Sequence, residues 1–331
     1  MSATVAPEQI LRELAELWVD SGKQGQAEGG TGVLRACTMT LLVLAEAGED
    51  TQDFGETMAA LMPEHPARTI VVRLSGEGER ALTERVYSQC WMPFGQRRQI
   101  CCEQVEITAS DAALDDLPSV VLPLAVPDLP LILWCRSTRL PAMREFRLIA
   151  AMAQKIVLDS ASSPDPAGAL LRAEALAESG VLLGDLSWTR LTRWREMLSQ
   201  VFENQRNLAR LPQVSKLEVE WGGSRYVPAL YLGAWIRDSL AAVGVNASLH
   251  IARAADEDFL RVRMACDGFA AEVVRREDRM IVTLDGDSQC TNLPQPTDYL
   301  LMREELGIVR HDPVFEKSLT SAARLAHPLE P

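Results

Sequence analysis

The sequence predicts an α/β protein: an N-terminal mixed, mainly parallel sheet flanked by helices, plus a smaller C-terminal α+β domain with an antiparallel meander. Three observations predict it. Strand-like and helix-like segments alternate from about residue 35 to residue 179, the pattern of a parallel sheet with helices packed on it. After Asn204 the pattern changes to one helix and a run of short strands punctuated by DED, DG and RED, the turn chemistry of hairpins. And 331 residues exceed one ordinary hydrophobic core, so two domains are expected. The expected division is 1–34 for a leading helix and linker, 35–206 for the α/β domain and 207–331 for the α+β domain, with the boundary near 206–214.

Ile10, Leu11, Leu14, Leu17 and Trp18 recur at helical spacing, so a helix is expected from Pro7 to Val19, with proline at its favoured first position. Residues 21–32 are Gly-rich and polar and read as a mobile linker. A buried strand over 35–45, a helix over 51–62 capped by Asp50 or Thr51, and a β-branched strand over 68–74 follow. Segments 83–92 and 99–109 alternate and suggest an antiparallel pair joined by PFGQRR. Ser110 is a candidate cap for a helix reaching Leu124, interrupted by Pro118 and Pro123. Then come a strand (129–136), a helix (141–154), a strand (155–160), a helix (164–179) and an amphipathic helix (185–204). The C-terminal part holds the strand KLEVEWGG, a helix over 227–244 closed by Gly244, four short strands, and two last helices over 297–305 and 313–326.

Composition narrows function. Lys+Arg minus Asp+Glu is 33 − 46 = −13, so a general nucleic-acid role, which needs a basic surface, is disfavoured. No run of 18 apolar residues predicts a membrane span, and the N-terminus reads as a helix rather than a signal peptide, so a cytoplasmic protein is expected. The glycine runs lack the strand-before, helix-after context of a dinucleotide loop, and no G-x-x-x-x-G-K-[ST] occurs. The four histidines are too far apart for H-E-x-x-H, no C-x-x-C exists, and G-x-S-x-G is absent. Asp115-Asp116 and Asp256-Glu257-Asp258 read as solvated caps and turns. No catalytic set, metal site or cofactor is expected.

The segment DLSWTRLTRWREMLSQVFEN, 185–204, stands out. Leu191, Trp194, Leu198 and Val201 share one face; Arg193, Glu196, Gln200 and Glu203 share the other. Between Arg190 and Lys216 six basic residues face two acidic ones, a surplus of four in an acidic chain. A core helix explains the tryptophans. A partner-docking surface of Trp188, Arg190, Arg193, Trp194 and Arg195 explains the combination, because Trp and Arg are enriched in binding hot spots. Two further readings stay open: a sugar-phosphate-binding enzyme or sensor, with His65, Arg68, Arg136 and Arg190 as its anion site, and a thiol switch at Cys101 and Cys102, with Arg97 and Arg98 nearby.

Seven landmarks appear in order: RACTMTLLV (35–43), HPARTIVV (65–72), CCEQVEI (101–107), LPLAVPDLPLILWCR (122–136), KIVLDS (155–160), DLSWTRLTRWREMLSQVFE (185–203) and LLMREELGIVRHDPVFEKSL (300–319). Together they resemble the glucose-6-phosphate dehydrogenase assembly protein (OpcA) family from about Leu34 onward. The resemblance implies a non-catalytic, allosteric partner of glucose-6-phosphate dehydrogenase that promotes its active oligomer in the pentose phosphate pathway. In photosynthetic bacteria such proteins are tied to redox control, which makes thioredoxin a candidate second partner. The glycines before Val33 and the tail after Ala326 are not diagnostic, and Cys102 and Cys135 sit where the family does not call for cysteine.

Overall fold

In a computed structural model, residues 6–27, 33–49, 51–91, 99–257 and 259–326 are described. The elements run α1 (Pro7–Ala27), β1 (Val33–Arg35), β2 (Met39–Glu46), α2 (Thr51–Leu61), β3 (Ala67–Leu74), β4 (Leu82–Trp91), β5 (Gln99–Ala109), α3 (Leu117–Leu124), β6 (Leu131–Cys135), α4 (Phe146–Ala150), β7 (Lys155–Leu158), α5 (Pro166–Glu178) and β8 (Leu182–Asp185). They continue as α6 (Leu186–Thr189), α7 (Thr192–Val201), α8 (Gln205–Leu208), β9 (Lys216–Trp221), α9 (Tyr226–Ala242), β10 (Ser248–Arg253), β11 (Phe259–Cys266), β12 (Phe269–Arg276), β13 (Arg279–Leu284), β14 (Asp287–Asn292), α10 (Asp298–Gly307) and α11 (Pro313–Ala326).

The chain forms two compact units, and they do not follow the expected break near 206–214. The first takes 1–158, 181–184 and 298–307; the second takes 159–180, 185–297 and 308–331. Chain order hides this, because α10 rejoins the first unit from far along the sequence.

The first unit is built on an eight-stranded sheet in the order β1-β5-β3-β2-β6-β7-β8, with β4 paired to β5. The β5–β3, β3–β2, β2–β6 and β6–β7 pairs are parallel, and β4–β5 is antiparallel, as the alternation predicts. Every residue of β3 and β6 is buried, as in central strands covered on both faces. Helix α1 runs through Ala27, past the expected end at Val19. Lys, Gln and Ala are good helix formers, and each of its two glycines costs only about 1 kcal/mol. The linker reading is thus corrected for 21–27, and 28–32 lie outside the described residues. The strand expected over 35–45 begins at Met39, after β1 ends at Arg35. The helix expected over 141–154 shrinks to a 3-10 turn at Leu140–Ala142 and α4, because Met143 takes an extended conformation between them. Ser110 does not cap: its Oγ accepts the N–H of Ala81 at 3.0 Å instead.

The second unit carries a six-stranded sheet in the order β10-β9-β11-β12-β13-β14. From β9 to β14 it is antiparallel, but β10 pairs parallel with β9. The intervening α9 returns the chain to the start of the sheet, and such a crossover makes the pair parallel. At Gly233 of α9 an added Cβ would stand 3.2 Å from Ile251 Cδ1 and 3.3 Å from Leu249 Cδ1, so glycine sets how closely this helix lies on β10. Strand β14 was not expected. Its sequence, DSQCTN, is polar and exposed on every residue, so it carries no hydrophobic alternation.

Candidate functional site

The helix expected over 185–204 is broken. Asp185 starts α6, its Oδ1 accepting the N–H of Ser187 at 2.9 Å. One turn on, the Thr189 hydroxyl donates to the Asp185 carbonyl at 3.1 Å, and Leu191 leaves helical geometry before α7 begins. The Asp185 carboxylate is wholly buried and fully occupied. It also accepts the N–H of Ser160 at 3.1 Å, the Tyr231 hydroxyl at 2.8 Å and the Ser160 hydroxyl. Burial, and then the nearby Asp159 charge, pushes its pKa up, while the donors from Ser160 and Tyr231 hold it down. Burial likewise drives Tyr231 well above the usual phenol value. Such a satisfied buried carboxylate locks structure.

Around this lock sit the tryptophans and arginines. Arg190 grips Asp159 with two hydrogen bonds, at 2.9 and 2.7 Å, and Ser187 Oγ donates to the same carboxylate at 2.7 Å. Trp188 packs against Tyr231 and Phe315, with ring centroids 5.6 and 5.9 Å away. The Arg195 guanidinium lies 3.7 Å over the Trp188 ring. Trp188 and Trp194 are interior, 4% and 1% exposed. Of the five expected contact residues, Arg193 alone is openly exposed, its side chain 73% accessible and paired with Glu196 at 2.8 Å. The predicted division of faces holds for α7, but both indoles belong to the core.

The expected anion site does not assemble. Arg68 is buried on β3, its Nε donating to Glu103 at 2.5 Å and its Nη1 to the Leu124 carbonyl at 2.6 Å. Arg136 lies between Glu49, at 2.7 Å, and Asp298, and stacks over the Trp134 ring at 4.8 Å. In register Arg68 stands beside Thr40, which stands beside Leu131, five residues before Arg136. At about 3.3 Å per residue the two guanidiniums begin roughly 16 Å apart along the strands, at opposite ends of the sheet. Burial lowers the pKa of His65, and the Glu64 charge opposes the shift. Arg68 and Arg136 each already hold a carboxylate. Arg190, the fourth residue of that reading, lies in the second unit on Asp159.

The adjacent-thiol reading is also corrected. Cys101 is disulfide-bonded, and its partner is not Cys102, which is free and buried. Successive strand residues point to opposite faces, which keeps the two apart. Burial raises the Cys102 thiol to about 11 and the Cys135 thiol to about 12, the reverse of what a reactive thiolate needs. Arg97 and Arg98 lie outside the described residues. Asp116 pairs with Arg80, in keeping with a surface role. Among the described residues no three His, Cys, Asp or Glu side chains cluster as a metal site, and no helix is long and apolar enough to cross a membrane.

The sequence landmarks find structural reasons here. KIVLDS supplies Lys155, whose Nζ reaches Glu305 Oε2 at 3.0 Å in the buried interior of the first unit. Gly184 leaves room for that carboxylate, because an added Cβ would stand 2.2 Å from Glu305 Oε2.

Comparison with known proteins places these features in a family. Residues 58–175 match the model described as the glucose-6-phosphate dehydrogenase subunit N-terminal domain, and 182–319 match that of the C-terminal domain. An OxPP cycle protein OpcA of Nostoc punctiforme is 30% identical over 141 residues, 43% of this chain and 30% of that protein. Its namesake in Synechococcus elongatus is 27% identical over 180 residues, 54% of this chain and 40% of that protein. The matched stretch thus spans less than half the length of these relatives. Among solved structures, UDP-N-acetylglucosamine 3-dehydrogenase GnnA of Acidithiobacillus ferrooxidans is similar at a TM-score of 0.46 and 13% identity, covering 89% of this chain and 97% of that one. An oxidoreductase of Sinorhizobium meliloti reaches 0.47 at 9% identity, covering 88% and 96%. Likenesses so remote say nothing about chemistry.

Proposed function

Because the chain belongs to the OpcA family of glucose-6-phosphate dehydrogenase subunits, we propose that it is a non-catalytic partner that binds glucose-6-phosphate dehydrogenase and favours its active oligomer. What carries this reading is that the family's two domain models follow one another along the same chain, and that the curated relatives bear OxPP cycle names. The physical action is population shift: a partner that binds one assembly state better must draw the dehydrogenase toward it. The proposed contact is the outward side of α7. There Arg193 stands in solvent; the half-buried Arg190, at the end of α6, and Arg195 are held in fixed directions by Asp159 and Trp188. The indoles act from beneath, as the rigid floor of that surface. Local positive charge on an acidic chain suits an acidic patch on the dehydrogenase.

The test mixes the purified chain with the dehydrogenase of the same cell, at saturating ratio. The expected outcome is a complex in native mass spectrometry together with a lower KM or a higher turnover of the dehydrogenase. Unchanged kinetics and no complex refute the role.

A further inference from the structure

In the first unit, the α2 side of the sheet carries a half-open cavity of about 340 Å³ lined by Phe54, Gly55, Arg73, Tyr87, Ser88, Gln104 and Glu106. That volume lies within the range of small-molecule sites. Arg73 comes from the middle of the fold, on β3, and is 5% exposed. Its Nε and Nη1 are buried and have no hydrogen-bond partner among the described residues. A buried guanidinium in that state is costly unless something else supplies the acceptor. The Phe54 ring covers it, 4.8 Å from centroid to guanidinium carbon. Among the described residues, the other arginines buried or half-buried in this unit differ: Arg68, Arg136 and Arg139 each hold a carboxylate.

The rest of the lining is polar and ordered. Gln104 Nε2 donates to the Tyr87 hydroxyl at 2.6 Å, and that hydroxyl donates to Glu106 Oε2 at 3.4 Å. Arg73 stands beside Thr108 in the β3–β5 register, and Glu106 stands beside Val71, two residues back. A guanidinium and a carboxylate thus line one cavity at positions about 7 Å apart along the strands. The first calls for an anion. The second calls for hydrogen-bond donors, and repels a second negative charge.

We propose that this cavity binds a small polyhydroxylated anion, a phosphate ester or carboxylate of a short polyol, with its charged group on the Arg73 fork and its hydroxyls on Glu106 and Gln104. Phosphate and carboxylate fit the guanidinium fork alike. The site is independent of the dehydrogenase-binding role: it uses other residues and is read out without the dehydrogenase.

The test is calorimetric titration of the full chain with glycerol 3-phosphate, glycerate, inorganic phosphate and glycerol. The charged polyols are expected to bind at least about tenfold more tightly than glycerol, and the more tightly bound of the two identifies the anionic group. Arg73→Met keeps an apolar stem of similar length and is expected to fold, as near-ultraviolet circular dichroism will report, and to lose at least about tenfold in affinity. Arg73→Lys keeps the charge without the fork and should fall between. Glu106→Gln is expected to narrow the gap between glycerol 3-phosphate and inorganic phosphate. If the charged probes bind no better than glycerol, or if folded Arg73→Met binds them as the parent does, the site is not there. Equal affinity for inorganic phosphate and glycerol 3-phosphate, in the parent and in Glu106→Gln alike, also overturns it.

Discussion

Arg68 and Arg73 lie five residues apart on one central strand, and their surroundings are opposite. Arg68 is closed. Glu103 holds its Nε, the Leu124 carbonyl holds its Nη1, and Glu103 also accepts from Trp18 of α1 at 2.5 Å. Arg73 is open. It faces a cavity, with an aromatic ring over it and two guanidinium nitrogens left without a hydrogen-bond partner among the described residues. An odd separation on a strand sends the two to different faces, so one strand serves both a structural lock and the wall of a half-open cavity. Burial alone therefore does not reveal what a charged residue does; the partner count does.

The largest effect should come from breaking the lock. Arg68→Met leaves Glu103 buried without its cation, and an uncompensated buried charge typically costs about 3–5 kcal/mol. Urea unfolding measures it, and a loss under about 1 kcal/mol would mean that the lock matters little. A closed site without charge gives a yardstick of similar size. Trp194→Ala removes an indole that is 1% exposed, for about 3–5 kcal/mol.

Smaller effects test the open side. Arg73→Met removes an underbonded cation and should leave stability unchanged or raise it by about 1 kcal/mol, in contrast to Arg68→Met. A large loss would show Arg73 to be structural after all. The buried thiols sharpen the contrast through pH. Their folded pKa values, about 11 for Cys102 and about 12 for Cys135, lie above the 9.0 of an unperturbed thiol. Above pH 9 the unfolded chain therefore loses thiol protons that the folded chain keeps. The stability these groups contribute is present below pH 9 and is lost as pH rises to about 12. A Cys102→Ala/Cys135→Ala variant should show a shallower decline over that window; an unchanged slope would mean that the thiols are not shielded. Smallest of all, Arg193→Glu should shift stability by less than about 0.5 kcal/mol, as at other exposed sites, while weakening association with the dehydrogenase at low salt. Intact association would return α7 to a purely structural role.

The strands of the first sheet were legible because buried parallel strands read as continuous runs, as in MTLLVLAE and ARTIVV. The antiparallel β4–β5 pair was legible from its alternation, and α7 from its period. Strand β14 was not, because polar edge residues leave no pattern. Nor were the faces of α6, where four successive residues are buried and the periodicity disappears. In the cavity, Arg73 follows VV in a strand-like run and differs in no local way from Arg68. A lone charge inside an apolar strand was the available signal, and it appears twice.

By itself the sequence determined the α/β class, the order of nearly all elements, the outward face of α7 and the family. These depend on local periodicity and on ordered landmarks, which a linear chain displays. Tertiary structure decided where the units divide, that Trp188 and Trp194 are core, that Arg68 and Arg136 are neutralised at opposite ends of the strands, and that Arg73 lines a half-open cavity. The reason is physical: a charge's role depends on which acceptors lie within about 3 Å of it. Those acceptors arrive from residues tens of positions away, through registers that no local pattern encodes.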